Sequence, residues 1–168
     1  MIAELPPELA YGPDQASDHH LEEITHWLSV APSATELAAG FVRALRILVC
    51  GSRDWSRADV VFGELDRWAS HHSDAAITII EGEARGADRM GRRWAEDRGW
   101  PVLPFPADWD LPGRAAGPIR NQRMLVEGDP HLVLAFTVDL AASAGTADMV
   151  RRAVKAGVEH RVIGMPTP

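Results

Sequence analysis

At 168 residues and 46% hydrophobic content, the chain is long enough for one domain with a real core and ordinary for a globular protein. No run reaches the roughly 18 to 20 apolar residues of a membrane span, the start lacks the basic and apolar pattern of a leader, and Cys50, the single cysteine, excludes an intrachain disulfide; a cytoplasmic protein with no membrane contact is expected. The net charge of −7 resides in residues 1–40, which hold seven acids (Glu4, Glu8, Asp14, Asp18, Glu22, Glu23, Glu36) and no Lys or Arg. The rest of the chain balances 17 basic against 17 acidic groups, which argues against tight nucleic-acid binding.

Residues 1–17, with Pro6, Pro7, Gly12 and Pro13, read as an irregular lead-in. Asp18 is placed to cap a helix over 19–29 with Leu21, Ile24 and Leu28 on one face, and Pro32 ends it. Ser33-Ala34-Thr35-Glu36 is a capping box for a second helix over 33–45, whose Leu37, Phe41 and Leu45 continue an apolar stripe. Residues 1–44 thus read as an N-terminal helical appendage. Its apolar stripes need burial, on the main domain or on a partner, and a homo-oligomer is expected.

From 45 to 168 strand and helix alternate. Strand 46–50 leads to a helix from about Ser56 with Val60, Leu65 and Trp68 inward. Strand 76–80 leads to helix 86–98, which ends at Gly99. Strand 101–105 leads through a long loop to a helix opening at Pro118. Strand 131–136 leads to helix 146–156, ending at Gly157, and strand 160–164 closes the series. This alternation predicts an α/β fold: a Rossmann-like open parallel sheet of about five strands, order 3-2-1-4-5, with right-handed crossovers and helices on both faces.

In such sheets a ligand lies beyond the carboxyl ends of the strands, where the strand order reverses. Each loop there begins with small or hydroxyl residues and runs into a helix, a combination that presents free N–H groups to an anion. Gly51-Ser52-Arg53-Asp54 follows the first strand: Ser52 either donates to phosphate or caps a helix, and Arg53 can make a paired contact. Gly82-Glu83-Ala84-Arg85-Gly86-Ala87-Asp88 follows the second. It is neither a Walker loop nor a G-x-G-x-x-G, but it sets Gly86 at a helix start, and Asp88 either receives a ribose hydroxyl or stabilises that helix end.

In Gly117-Pro118-Ile119-Arg120-Asn121, an arginine at a helix start opposes the helix dipole, a conflict that a bound anion resolves; the alternative is a solvated turn. Asn121 suits a base edge or a sugar hydroxyl. Gly145-Thr146 supplies a further phosphate cradle or simply a Thr cap. The topology gathers these loops at one crevice for a phosphate-bearing small molecule.

Trp68 and Trp94 fall on helix stripes and read as core, whereas Trp55 and Trp109 lie in loops where they can stack on a base. His19, Glu22, Glu23 and His26 share a helix face at metal-binding spacing, but an exposed acidic helix is the simpler reading, and neither a metal nor a cofactor is assigned. Cys50 reads as a core thiol.

The ordered set Gly51-Ser-Arg-Asp-Trp55, Gly82-x-Ala-Arg-Gly-Ala-Asp88, Pro106-Ala-Asp-Trp109, Ala116-Gly-Pro-Ile-Arg-Asn-x-x-Met124 and Gly145-Thr-Ala-Asp-Met-Val150 resembles the YspA-like, YpsA-related branch of the SLOG superfamily. The resemblance spans residues 45 to 164. It implies a Rossmann-like domain that binds or senses a nucleotide or nucleotide-derived ligand, as found in bacteria and their phages. The superfamily also holds phosphoribohydrolases and the DNA-processing protein DprA, so a hydrolase of the N-glycosidic bond is the alternative, and a DprA-like single-strand binder a more distant one.

The phosphoribohydrolase pattern Pro-Gly-Gly-x-Gly-Thr-x-x-Glu is broken here. Ala142-Ser143 replaces the glycine pair and Met149 the glutamate, with Asp148 one residue off and expected to point elsewhere. No catalytic residue is therefore assigned. The expected ligand-binding set is Gly51, Ser52, Arg53, Gly82, Arg85, Gly86, Asp88, Arg120, Asn121, Gly145 and Thr146.

Overall fold

The computed structural model describes residues 43–110 and 115–165. The two N-terminal helices and the His19–His26 face expected from the sequence lie outside the described residues. The elements run β1 (Arg43–Gly51), α1 (Ala58–His71), β2 (Ala75–Glu81), α2 (Ala87–Glu96), β3 (Val102–Pro104), α3 (Ala116–Val126), β4 (Leu132–Phe136), α4 (Ala144–Ala156) and β5 (Glu159–Ile163). All strand pairs are parallel and the order is β3-β2-β1-β4-β5, as the alternation predicts.

Burial explains why β1 and β4 are central. Leu132 to Phe136 are all buried, and Ile47, Leu48 and Val49 are wholly so, because helices cover both faces. Alternate residues feed two cores. Leu45, Ile47 and Val49 pack with Ile77, Ile79, Leu134 and Phe136 against Val61 and Leu65 of α1 and Trp94 of α2. Leu48 and Cys50 pack with Ile80, Val133 and Ala135 against Met124 of α3 and Met149 and Ala153 of α4. The outer strand β5 is largely exposed.

Several details depart from the sequence expectation. Val61, not Val60, is the fully buried valine of α1, because the helix opens at Ala58 and the inward face is set by that phase. Helix α3 opens at Ala116, two residues before Pro118. Proline is tolerated within a first turn, where its missing N–H has no intrahelical acceptor. Helix α4 likewise opens early, at Ala144. Trp55 is 3% exposed and packs on Phe136 with ring centroids 5.6 Å apart, so it belongs to the core and cannot stack on a base. Trp94 is fully buried and donates from Nε1 to Asp66 at 2.8 Å, tying α2 to α1.

Candidate functional site

Strand order reverses between β1 and β4, and a cleft of about 680 Å3 opens there beyond the strand ends. That size lies in the range of small-ligand sites, roughly 300 to 1,000 Å3. The walls come from the turn after β1, the first turns of α3 and α4, and Trp109. Of the expected set, the cleft gathers Gly51, Ser52, Arg53, Asp88, Arg120, Asn121, Gly145 and Thr146. Gly82 and Arg85 line an adjoining hollow instead.

Donors on the α4 side are uncommitted. Ser143 and Thr146 share a hydroxyl–hydroxyl contact of 2.8 Å, and α4 has no side-chain cap. The N–H groups of Ala144, Gly145 and Thr146 therefore have no intrahelical acceptor, and they carry the positive end of the helix dipole. Among the described residues a Cβ on Gly145 would meet nothing within 4 Å, so the backbone here is open to close approach. On the facing wall the Ser52 hydroxyl oxygen accepts the Asp54 N–H at 3.3 Å, which leaves its own proton free to donate. Ser52 thus holds its turn and can still reach an anion.

Two glycines answer to packing. A Cβ on Gly51 would strike the Phe136 carbonyl and the Ala87 side chain, because β1 runs tight against β4 and α2. Gly86, at φ 84°, takes a left-handed conformation and lies against the Ser52 carbonyl, where a Cβ would also collide.

Arg120 sits five residues into α3, and its side chain is 13% exposed. Its Nη1 donates to the Gly82 carbonyl, its Nε to Asn121 Oδ1 at 3.1 Å, and Nη1 lies 4.0 Å from Asp88 Oδ2. Among the described residues Nη2 has no protein acceptor, so Arg120 anchors the wall and retains donors for a ligand. It is not the solvated turn residue of the alternative reading.

Asn121 is buried, and its Nδ2 donates to the Gly145 carbonyl at 3.1 Å and to Asp148 Oδ2 at 3.0 Å. These bonds fasten α3 to the start of α4. Asp88 is 2% exposed and accepts the Gly82 N–H at 3.0 Å. Burial pushes its carboxyl up to about 6, against the opposing pull of the Arg120 guanidinium. Burial, reinforced by Asp88, also pushes the Cys50 thiol far above its ordinary range, so Cys50 on the cleft floor remains a neutral thiol.

Asp148 corrects the expectation that it points away. It lines the cleft, while Met149 is fully buried in the core. The signal was in the spacing: Gly145, Asp148 and Arg152 fall at i, i+3 and i+7, whereas Met149 shares the inward face with Val150 and Ala153. Sequence reasoning also missed Glu81. It is fully buried, pairs with Arg92 at 2.5 Å and accepts the Glu83 N–H at 2.6 Å. Trp109 is 65% exposed with the Arg53 guanidinium 5.5 Å from its ring centre, leaving an aromatic surface at the cleft mouth.

Among the described residues no group of three or more His, Cys, Asp or Glu could hold a metal ion, and no helix is long and apolar enough to cross a membrane.

Two comparisons with known proteins bear on this arrangement. The family model described as YspA, cpYpsA-related SLOG family matches residues 45–111, the stretch carrying the turns after β1 and β2. The chain is also similar to the Gene 61 protein of Mycobacterium phage D29, with 37% identity over 118 residues, covering 67% of this chain and 91% of that protein.

Proposed function

We propose, from the premise that this chain belongs to the YspA, cpYpsA-related SLOG family, that it binds a nucleotide or nucleotide-derived ligand in the β1/β4 cleft and releases it unchanged. The observation that carries this reading is the uncapped start of α4 facing Ser52 and Arg120 across the strand-order reversal. Phosphate is held by the N–H groups of Gly145 and Thr146, the Ser52 hydroxyl and the free donors of Arg120. The base lies toward Trp109. Asn121 and Asp88, whose polar atoms already serve the fold, shape the walls.

Binding is favoured over hydrolysis by how Asp148 is engaged. Its Oδ2 accepts from Asn121 Nδ2 at 3.0 Å and from Arg152 Nε at 2.8 Å, so the fold already occupies the oxygen that a leaving base would need. The test is calorimetry with nucleoside monophosphates and NAD, followed by chromatography of the same mixtures. Saturable binding with the nucleotide recovered intact is the expected result. Release of free base or ribose phosphate favours the hydrolase, and no binding by any member removes the reading.

A further inference from the structure

Beside the cleft lies a second hollow of about 660 Å3, walled by Arg53, Arg85, Arg89 and Arg120, with Glu83 as its single carboxylate among the described residues. Four guanidiniums around one acid stand out in residues 41–168, where 17 basic groups balance 17 acidic ones. Glu83 does little to neutralise them, because it is already paired with Arg92 at 2.8 Å. Arg85 meets Asp54 at 3.1 Å, but both side chains are well exposed, so water and salt screen that pair. Arg89 has no carboxylate partner among the described residues, and the contact of Arg53 is with the Trp109 ring.

The two hollows are continuous: Arg53, Trp109 and Arg120 line both. Arg120, whose Nη1 is fixed to Gly82, stands at the junction and can meet groups on either side. A neutral arm reaching past it would leave an electropositive surface without a counter-charge. A chain of phosphates would satisfy it, since guanidinium forks match phosphate oxygens in paired hydrogen bonds.

We propose that this arginine hollow is a polyphosphate subsite and that the ligand class is a nucleoside polyphosphate, its first phosphate at the start of α4 and its distal phosphates among Arg53, Arg85 and Arg89. The proposal rests on the nucleotide reading of the cleft and adds the second compartment to it.

Calorimetry on the full chain tests it, in a chelator-containing buffer so that no metal masks the phosphates, using the four nucleoside monophosphates and their matching triphosphates. The nucleoside that binds is expected to gain about 10- to 100-fold in affinity from monophosphate to triphosphate. Arg89→Ala removes much of that gain and Arg89→Glu more, while monophosphate affinity stays within about 2-fold. Arg67→Ala, an exposed arginine on α1, controls for charge alone and leaves both affinities unchanged.

A triphosphate that binds no tighter than its monophosphate overturns the subsite while the nucleotide reading stands. An equal loss in Arg89→Ala and Arg67→Ala also overturns it, because the gain is then general attraction to charge. If no nucleotide of either kind binds, the reading of the cleft itself fails and the subsite with it. Both Arg89 variants are exposed-site changes, and circular dichroism confirms their fold.

Discussion

The turn from β2 into α2 and the turn into α4 both set a glycine near a helix start with an aspartate in the first turns that follow, yet they direct their polar groups in opposite ways. In the first, Gly82 is used from both ends: its N–H donates to Asp88 and its carbonyl accepts from Arg120, and a Cβ there would collide with the guanidinium. Glu81, buried beneath, is closed by Arg92 and the Glu83 N–H. In the second, the hydroxyls of Ser143 and Thr146 meet each other, the helix start is uncapped, and Gly145 faces open space. One turn is closed by its own polar contacts and the other leaves its helix start open. Glycine content does not distinguish them; what occupies the space next to each glycine does.

Arg120→Ala breaks the comparison most severely, because Arg120 belongs to both sides. A solvated arginine at a helix start would be dispensable for folding, but Arg120 is held by Gly82 and the buried Asp88. Truncation leaves the buried Asp88 without its neighbouring cation and the Gly82 carbonyl without its donor. A loss of about 3 kcal/mol of stability is expected, together with the loss of ligand binding. Urea unfolding followed by circular dichroism measures the first and calorimetry the second; an unchanged midpoint would contradict the scaffold role.

Asp88 sharpens the scaffold side through pH. Its folded pKa, about 6, lies above its ordinary value of 3.8, so the folded state holds the proton more tightly than the unfolded chain. The associated stability is fully present below pH 3.8 and is lost as pH rises through about 6. Asp88→Asn removes this titration. Between pH 4.5 and 7.5 the wild type should lose stability relative to the variant by on the order of 2 kcal/mol. Parallel pH profiles for the two proteins would mean that Asp88 is not held in the protonation-favouring site described here.

Gly145→Ala separates the two turns from the other direction. No atom lies near the added methyl and the position is inside α4, so the substitution should stabilise the fold by about 0.5 to 1 kcal/mol while crowding the phosphate position and weakening nucleotide binding. Thermal unfolding and calorimetry on one preparation test both signs. Higher stability with unchanged affinity would move the phosphate away from Gly145.

Ser52→Ala should have the smallest effect. Its hydroxyl makes one long contact to the Asp54 N–H, so stability should change by less than about 1 kcal/mol, with a phosphate contact worth roughly 3- to 10-fold in affinity. Titration of variant and wild type with the same monophosphate is the check.

Strand and helix alternation, sheet order and the edge at which the loops gather were all legible in the sequence. They depend on local patterns: apolar runs of strand length, helical stripes, and glycines such as Gly157, which closes α4 in a left-handed conformation. Parallel strands joined by right-handed crossovers then leave few arrangements. The exact helix starts and the partner of each polar atom were not legible, because they depend on contacts between residues far apart in the chain. A shift of two residues in the start of α3 carries Arg120 from an exposed helix end to a partly buried anchor 38 residues from its acceptor at Gly82. Burial of Trp55 follows from its packing on Phe136, and the open space at Gly145 from the lack of a neighbour among the described residues. Hydrogen bonds and close packing act over a few ångströms, so which donors are consumed and which stay available is decided only once the sheet has brought the distant turns together.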